Sequence, residues 1–224
     1  MTKETGLPNC CYGDDYDSVF TGDEATTLAR KYQRRGLGRS EAELLSLVKE
    51  TNVPTPTMIE VGGGVGELQV SLLESRVVER ATNVELSSSW EDAAMSLAAA
   101  SGQRDRVTRI VGDFVDHAPE LPAADLLVMH RVVCCYPDWQ ALVGAAAAKT
   151  RRLLAMTFPD DNWLARAFIG INNVIHRMKR VDFRAFVHPP DAMIELAKGA
   201  GFLVVADRRH LIWRTLLFER IRPG

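Results

Sequence analysis

The sequence lacks a strong charge imbalance and a long apolar run, and each absence excludes a class of protein. Its 224 residues carry a formal net charge of -2, whereas a domain that binds nucleic-acid phosphates is typically basic. No uncharged apolar run reaches the ~18 residues that span a bilayer. The chain also begins without the apolar segment of a secretory signal. We therefore expect a soluble, cytoplasmic protein with no membrane or nucleic-acid partner.

Cysteine is scarce as well, and its spacing argues against a metal site. The four cysteines form two adjacent pairs, Cys10-Cys11 and Cys134-Cys135. Neither pair has the CxxC spacing, and the set matches no common zinc pattern. Free thiols are the default in a reducing compartment. The sequence therefore predicts no bound metal.

The length of the chain suffices for one buried α/β core, so we expect a single domain over residues 1–224. Thr21–Glu24 and Ser40–Glu43 each have the spacing of a capping box, which predicts a helix after each of them. We expect residues 1–56 to form an N-terminal helical cap on the domain.

From Thr57 onward, short apolar strands alternate with helices, which predicts βαβ units, an α/β fold class and a mostly parallel sheet. Near the C-terminus, the last two strand-like runs are too close for a parallel connection and must pair as an antiparallel hairpin. The predicted strands cover residues 57–61, 80–85, 107–111, 125–130, 153–158, 202–209 and 211–219.

A glycine-rich turn, Glu60–Gly66, follows the first predicted strand directly. Glycines at alternate positions let the backbone turn sharply and approach a ligand closely. A dinucleotide site would need glycine where Glu67 stands, since a carboxylate there would repel a pyrophosphate, and no P-loop motif is present. Acidic neighbours instead suit the sulfonium and ammonium groups of S-adenosylmethionine (SAM). The cofactor-binding candidates in this turn are Glu60, Gly62, Gly63 and Gly64.

Acidic residues also end the second and third predicted strands. Glu85, with Leu86 beside it, lies 19 residues beyond Gly66, where a carboxylate can bind both ribose hydroxyls. The alternative is a solvated acid at a strand end. Asp113 can accept the adenine amino group while Phe114 packs near the ring, and the alternative is an aspartate in a turn. Both pairs are therefore candidates for binding the nucleoside of SAM.

The order of Glu60–Gly66, Glu85, Asp113 and the strand 125–130 resembles the class I SAM-dependent methyltransferases over roughly residues 56–220. The resemblance implies a Rossmann-like fold, with a seven-stranded mostly parallel sheet, helices on both faces and the C-terminal antiparallel hairpin. It also implies SAM as the methyl donor and S-adenosylhomocysteine (SAH) as the product.

Two further segments, His130–Pro137 and Phe183–Pro190, are similar to those of small stand-alone actinobacterial methyltransferases. These are loosely grouped with magnesium-protoporphyrin and quinone methyltransferases. The resemblance does not identify the acceptor.

The acceptor should bind beyond the fourth strand. An imidazole titrates near working pH, so His130 is a candidate general base; the alternatives are that it contacts the cofactor or caps a turn. Arg131 is a further candidate for contact with the cofactor. Tyr136 is a second catalytic candidate or a packing residue. Residues 160–188 form a predicted lid insertion containing one amphipathic helix, whose apolar face we expect to pack mostly on the sheet rim and partly over the acceptor. The candidates for contact with the acceptor are Tyr16, Phe20, Tyr32, Cys134, Tyr136, Arg184 and His188.

These features together predict direct, in-line methyl transfer from SAM to a small molecule, with a hydroxyl or a thiol as the favoured acceptor. Orientation alone can supply about 7–11 kcal/mol of such a barrier, so a strong base is not essential. The alternatives are a non-catalytic SAM sensor and an RNA methyltransferase that uses the basic residues 30–35.

Overall fold

The structure is a computed structural model that describes residues 19–181 and 183–221. The predicted acceptor residue Tyr16 and the pair Cys10-Cys11 lie outside the described residues.

A seven-stranded sheet runs through the described residues. Its strands are β1 (Thr57–Val61), β2 (Arg80–Glu85), β3 (Val107–Val111), β4 (Ala124–His130), β5 (Thr150–Pro159), β6 (Phe202–Arg209) and β7 (Trp213–Arg220). They lie in the order β3-β2-β1-β4-β5-β7-β6. β1 to β5 are parallel, whereas β7 is antiparallel to both β5 and β6. The predicted parallel sheet with a C-terminal hairpin is therefore confirmed.

Helices cover both faces of this sheet. They are α1 (Gly22–Arg35), α2 (Arg39–Glu50), α3 (Glu67–Glu74), α4 (Glu91–Ala100), α5 (Phe114–His117), α6 (Trp139–Lys149), α7 (Trp163–Met178) and α8 (Pro190–Gly199). Leu44 of α2 and Leu72 of α3 belong to the core on one face, and Val143 of α6 and Met193 of α8 to the core on the other. Within the described ranges, no helix is long and apolar enough to cross a bilayer.

The starts of α1 and α2 differ in how well the sequence predicts them. Thr21 caps α1 as expected, because its side chain accepts a hydrogen bond from the Glu24 amide and the Glu24 carboxylate accepts one from the Thr21 amide. The predicted second capping box is wrong. α2 begins at Arg39 after Gly38, and no side chain caps it. The Ser40 hydroxyl instead accepts a hydrogen bond from the Arg131 side chain.

α7 buries Ala165 and Ile169 but exposes most of its large apolar side chains, so the expectation that its apolar face packs mostly on the sheet rim is wrong. The Asn173 side chain donates to the Ala185 carbonyl at 2.8 Å and accepts from the Ala185 amide at 2.9 Å. These bonds fix the segment that follows α7 against the side of the helix that carries Asn173. Most of the opposite side is left in solvent. Trp163 and Met178 are 75% and 79% exposed. The other exposed apolar side chains of α7 are Phe168, Ile171, Val174 and Ile175.

Candidate active site

The ends of β1, β2 and β4 surround a cavity of about 310 Å³, which we call the acidic cavity because Glu41, Glu60, Glu67 and Glu85 line it. Parallel strands present their carboxyl ends at one edge of a sheet, and ligands of open α/β sheets bind there. A narrow apolar slot of about 40 Å³ adjoins it. Both spaces are lined by Gly62, Glu85, Val132 and Cys135.

The glycine-rich turn has the geometry that its sequence predicts. Gly62 and Gly64 have φ values of +60° and +55°, a left-handed conformation that side chains disfavour. A Cβ atom on Gly62 would lie 2.6 Å from Val132, and one on Gly64 would lie 2.6 Å from Trp90. The turn therefore has neither the backbone angles nor the space for larger residues at these positions.

Three of the four glutamates that line this cavity have raised pKa values. Burial and the nearby charge of Glu67 raise the pKa of Glu60 well above its usual value. Burial raises the pKa of Glu67 to about 7, and burial also raises the pKa of Glu85. The nearby Arg109 is paired with Glu91 at 2.7 Å. A cationic ligand would stabilise the ionised carboxylates, and SAM supplies a sulfonium and an ammonium group.

Glu85 ties the glycine turn to the end of β2. Its carboxylate accepts hydrogen bonds from the Gly64 amide at 2.8 Å and from the Ser87 amide at 3.0 Å. A carboxylate has about four acceptor positions, so these bonds leave capacity for ribose hydroxyls. Glu85 thus has a structural role beside the predicted ligand role.

The apolar slot contains the residues predicted for adenine. Leu86, Phe114 and Asp113 line it. Asp113 accepts hydrogen bonds from the Val115 amide at 2.7 Å and from the Tyr136 hydroxyl at 2.9 Å. A purine would require side chains of this narrow slot to move. Because the Tyr136 hydroxyl is engaged with Asp113, the structure places this catalytic candidate on the slot side of the site.

His130 is paired with a glutamate that sequence reasoning missed. Its Nε2 lies 3.1 Å from Oε1 of Glu41, at the start of α2. Burial would raise the pKa of Glu41, but the hydrogen bond and charge of His130 outweigh it and lower the pKa to about 2. An ionised carboxylate only accepts hydrogen bonds, so we assign a proton to Nε2. Nδ1 then has a free lone pair whenever the imidazole is neutral. Nδ1 is buried and has no hydrogen-bond partner among the described residues.

Arg131 connects the acidic cavity with a neighbouring one. Its backbone has φ +59°, a conformation that is uncommon for residues other than glycine. The guanidinium donates to Ser40 Oγ at 3.0 Å and lies 4.5 Å from the centre of the Trp213 ring. Arg131 and Glu41 also line a cavity of about 500 Å³ between α2 and the β6–β7 turn. We call this space the basic cavity, because Lys31, Arg39 and His210 also line it.

The N-terminal candidates separate in the structure. Phe20 lines the acidic cavity, and its ring makes edge contacts with Trp90 and Phe183. Tyr32 turns away towards α3, where its hydroxyl lies 2.9 Å from Ser71 Oγ. Of these two, the structure brings only Phe20 into the site.

The remaining acceptor candidates do not line the acidic cavity. Cys134 is buried, and its neighbour Cys135 lines the cavity instead. His188 Nε2 lies 2.9 Å from the Tyr136 carbonyl, and its ring stacks on Phe186, so it anchors the returning chain. Arg184 is exposed.

The family of the chain follows from its sequence. Residues 23–143, more than half of the chain, match the O-methyltransferase domain family. The chain belongs to this family. It is therefore a methyltransferase enzyme, and its methyl donor is SAM. No curated protein sequence matches it.

Solved structures share the fold of this O-methyltransferase domain. Magnesium protoporphyrin IX methyltransferase from Synechocystis PCC 6803, with bound SAH, has a TM-score of 0.65 at 16% identity, covering 93% of this chain and 94% of that one. An O-methyltransferase family protein from Burkholderia thailandensis scores 0.65 at 19% identity, covering 90% and 63%. An O-methyltransferase family 2 protein from Planctomyces limnophilus, complexed with apigenin, scores 0.57 at 16% identity, covering 87% and 66%. The predicted likeness to magnesium-protoporphyrin methyltransferases is confirmed in the fold.

Proposed function

We propose that this protein transfers the methyl group of SAM to a hydroxyl group of a small molecule. The observation that carries the proposal is the position of the His130–Glu41 pair, because both residues line the acidic cavity that suits SAM. A base and a cationic methyl donor are thereby brought to one space. A hydroxyl gains from such a base, whereas a thiol ionises near pH 8.5 and needs less assistance.

The donor would occupy the acidic cavity and the adjoining slot. Glu60 and Glu67 supply negative charge for its cationic groups, and the glycine turn allows its close approach. Glu85, in the wall that both spaces share, would bind the ribose, and Asp113, in the slot, would bind the adenine. The donor supplies a methyl group on a positively charged sulfur, which is an electrophile that needs no metal.

The residues around the acceptor then control position and protonation. The acceptor oxygen forms a bond to the methyl carbon as the S–CH3 bond breaks, and the bonding pair stays on sulfur to give neutral SAH. The hydroxyl proton passes to Nδ1 of His130, which the acceptor reaches only when the side chains that cover this atom shift. The ionised Glu41 stabilises the resulting imidazolium through Nε2. Phe20 and Trp90 help to exclude water from the acidic cavity.

The test is SAH release by the purified protein with SAM and matched sets of phenols, alcohols, thiols and amines. We expect turnover with hydroxyl compounds. SAM binding without turnover in any set would favour a non-catalytic sensor, and turnover of RNA with strong salt dependence would favour an RNA methyltransferase.

Variants separate the base from the binding site. His130→Ala should lower the rate about 10²-fold or more, the range typical of general bases, while the affinity for SAM stays unchanged. Glu41→Gln keeps the size of the side chain and should also lower the rate. Glu50→Gln, an exposed position at the far end of α2, is the control. An unchanged rate in His130→Ala would remove the base from the mechanism.

A further inference from the structure

We propose that the acceptor is an aromatic or similarly apolar hydroxyl compound bearing a carboxylate, and that the basic cavity binds this carboxylate. The inference rests on the proposed function, since it names the class of acceptor that the same site would take. It follows from the charges, the apolar wall and the position of the basic cavity.

Positive charge dominates the lining of this cavity although the chain as a whole is slightly acidic. Lys31, Arg39 and Arg131 form no ion pair with any carboxylate of the described residues. Glu41, the carboxylate that shares the cavity, is paired with His130. The cations are therefore available to an anionic ligand, and arginine binds carboxylates especially well because its planar fork can donate two parallel hydrogen bonds.

The opposite wall of the basic cavity is apolar. Leu211 and Ile212 supply it from the turn between β6 and β7, and Trp213 supplies it from the start of β7. Leu211 is 76% exposed, although the removal of a leucine side chain from water is favourable. The guanidinium of Arg131 over Trp213 holds the indole in place. A ligand with both an anionic group and an apolar body satisfies the two walls at once.

The position of the cavity directs such a ligand towards the reacting groups. Arg131 and Glu41 line both the basic and the acidic cavity, and Glu41 contacts His130. A carboxylate held by Arg39 and Lys31 would leave the remainder of the acceptor free to extend past Arg131 towards the methyl donor. The volume of about 500 Å³ is typical of small-molecule sites.

The strained backbone of Arg131 adds an independent observation. A non-glycine residue at φ +59° persists only when its surroundings determine it, and such residues cluster at functional sites. The Arg131 amide donates to the Thr157 carbonyl at 2.8 Å, which fixes the turn after β4. The turn thereby holds the guanidinium between the two cavities.

The experiment uses hydroxylated aromatic carboxylates of one and two rings: 4-hydroxybenzoate, 3,4-dihydroxybenzoate and 6-hydroxy-2-naphthoate. The methyl ester of each compound, which lacks the carboxylate charge, is the control. Calorimetry on the SAH-loaded protein measures binding without any requirement for turnover, and SAH release from SAM measures kcat and KM separately. The variants are Arg39→Gln and Lys31→Gln, with Arg34→Gln on the exposed surface of α1 as the control.

We expect at least one carboxylate to bind about tenfold more tightly than its ester, which is the effect of one charge-assisted hydrogen bond. Arg39→Gln and Lys31→Gln should weaken binding of that carboxylate and raise its KM, leaving binding of the ester and kcat unchanged. Arg39→Gln should also leave the affinity for SAM unchanged. Arg34→Gln should have no effect. Equal binding of acids and esters, no binding of either, or insensitivity to both variants would overturn the proposal. Carboxylate binding without SAH release would retain the carboxylate site in this cavity but overturn the claim that such compounds are acceptors.

Discussion

Glu67 provides the sharpest prediction, because its pKa of about 7 makes it a proton switch in the acidic cavity. Burial raises this pKa from the usual 4.5. A cationic donor in the same cavity would favour the ionised carboxylate, so SAM binding should release a proton from Glu67. The affinity for SAM should therefore fall as the pH is lowered through 7 and Glu67 becomes protonated before binding.

The magnitude follows from the pKa. Glu67 is about one-tenth ionised at pH 6 and nine-tenths ionised at pH 8, so a ligand that requires the ionised form should bind about tenfold more weakly at pH 6. At pH 7, Glu67 should contribute about half a proton to the release. The free protein responds in the opposite way. Its folded state holds the Glu67 proton more tightly than the unfolded state, so its stability should fall, by at most about 3 kcal/mol, as the pH rises from 4.5 to 7.

Isothermal titration calorimetry in buffers of different ionisation enthalpy measures the released protons directly. The Glu67→Gln variant should release fewer protons than wild type at pH 7 and should flatten the change in SAM affinity between pH 6 and pH 8. Glu74→Gln, an exposed position at the other end of α3, is the control and should behave as wild type. Equal proton release in wild type and Glu67→Gln would refute the reasoning.

Other variants test the framework of the site. Gly64→Ala forces a left-handed alanine against Trp90, so it should destabilise the protein by about 1–3 kcal/mol in thermal unfolding and abolish SAM binding. Glu85→Ala leaves two backbone amides without their acceptor, and it should weaken SAM binding at least about tenfold in calorimetry; wild-type affinity would contradict its role. Asn173→Ala removes both bonds to Ala185 and should cost about 1–3 kcal/mol in chemical denaturation, whereas unchanged stability would show that other contacts hold this return.

The fold was predictable because local patterns and the long-range arrangement agree. The alternation of strands with helices gave β1, β2, β3 and β6 with their observed bounds. The sharp turn after β1 was predictable because its backbone needs positive φ values, and glycine is the residue that adopts them without a steric penalty. Such local rules need no knowledge of the tertiary structure.

The acceptor side was less predictable because distant segments build it. Glu41 and His130 are 89 positions apart and meet only through packing of α2 against the sheet edge. Sequence reasoning assigned Ser40 to a helix cap, although its hydroxyl receives a hydrogen bond from Arg131. The predicted orientation of α7 was wrong for a related reason. Apolar periodicity identifies one face of a helix, but the bonds between Asn173 and Ala185 determine which face the protein covers.

The most direct test of the methyl-transfer account is to follow a 13C-labelled methyl group from SAM by NMR and mass spectrometry, with hydroxyl, thiol and amine acceptors present in one mixture. The account predicts that the label appears on an oxygen atom, and that it does so more slowly in His130→Ala. Label found exclusively on sulfur, nitrogen or carbon, or retained on SAM with every acceptor although SAM binds, would contradict it.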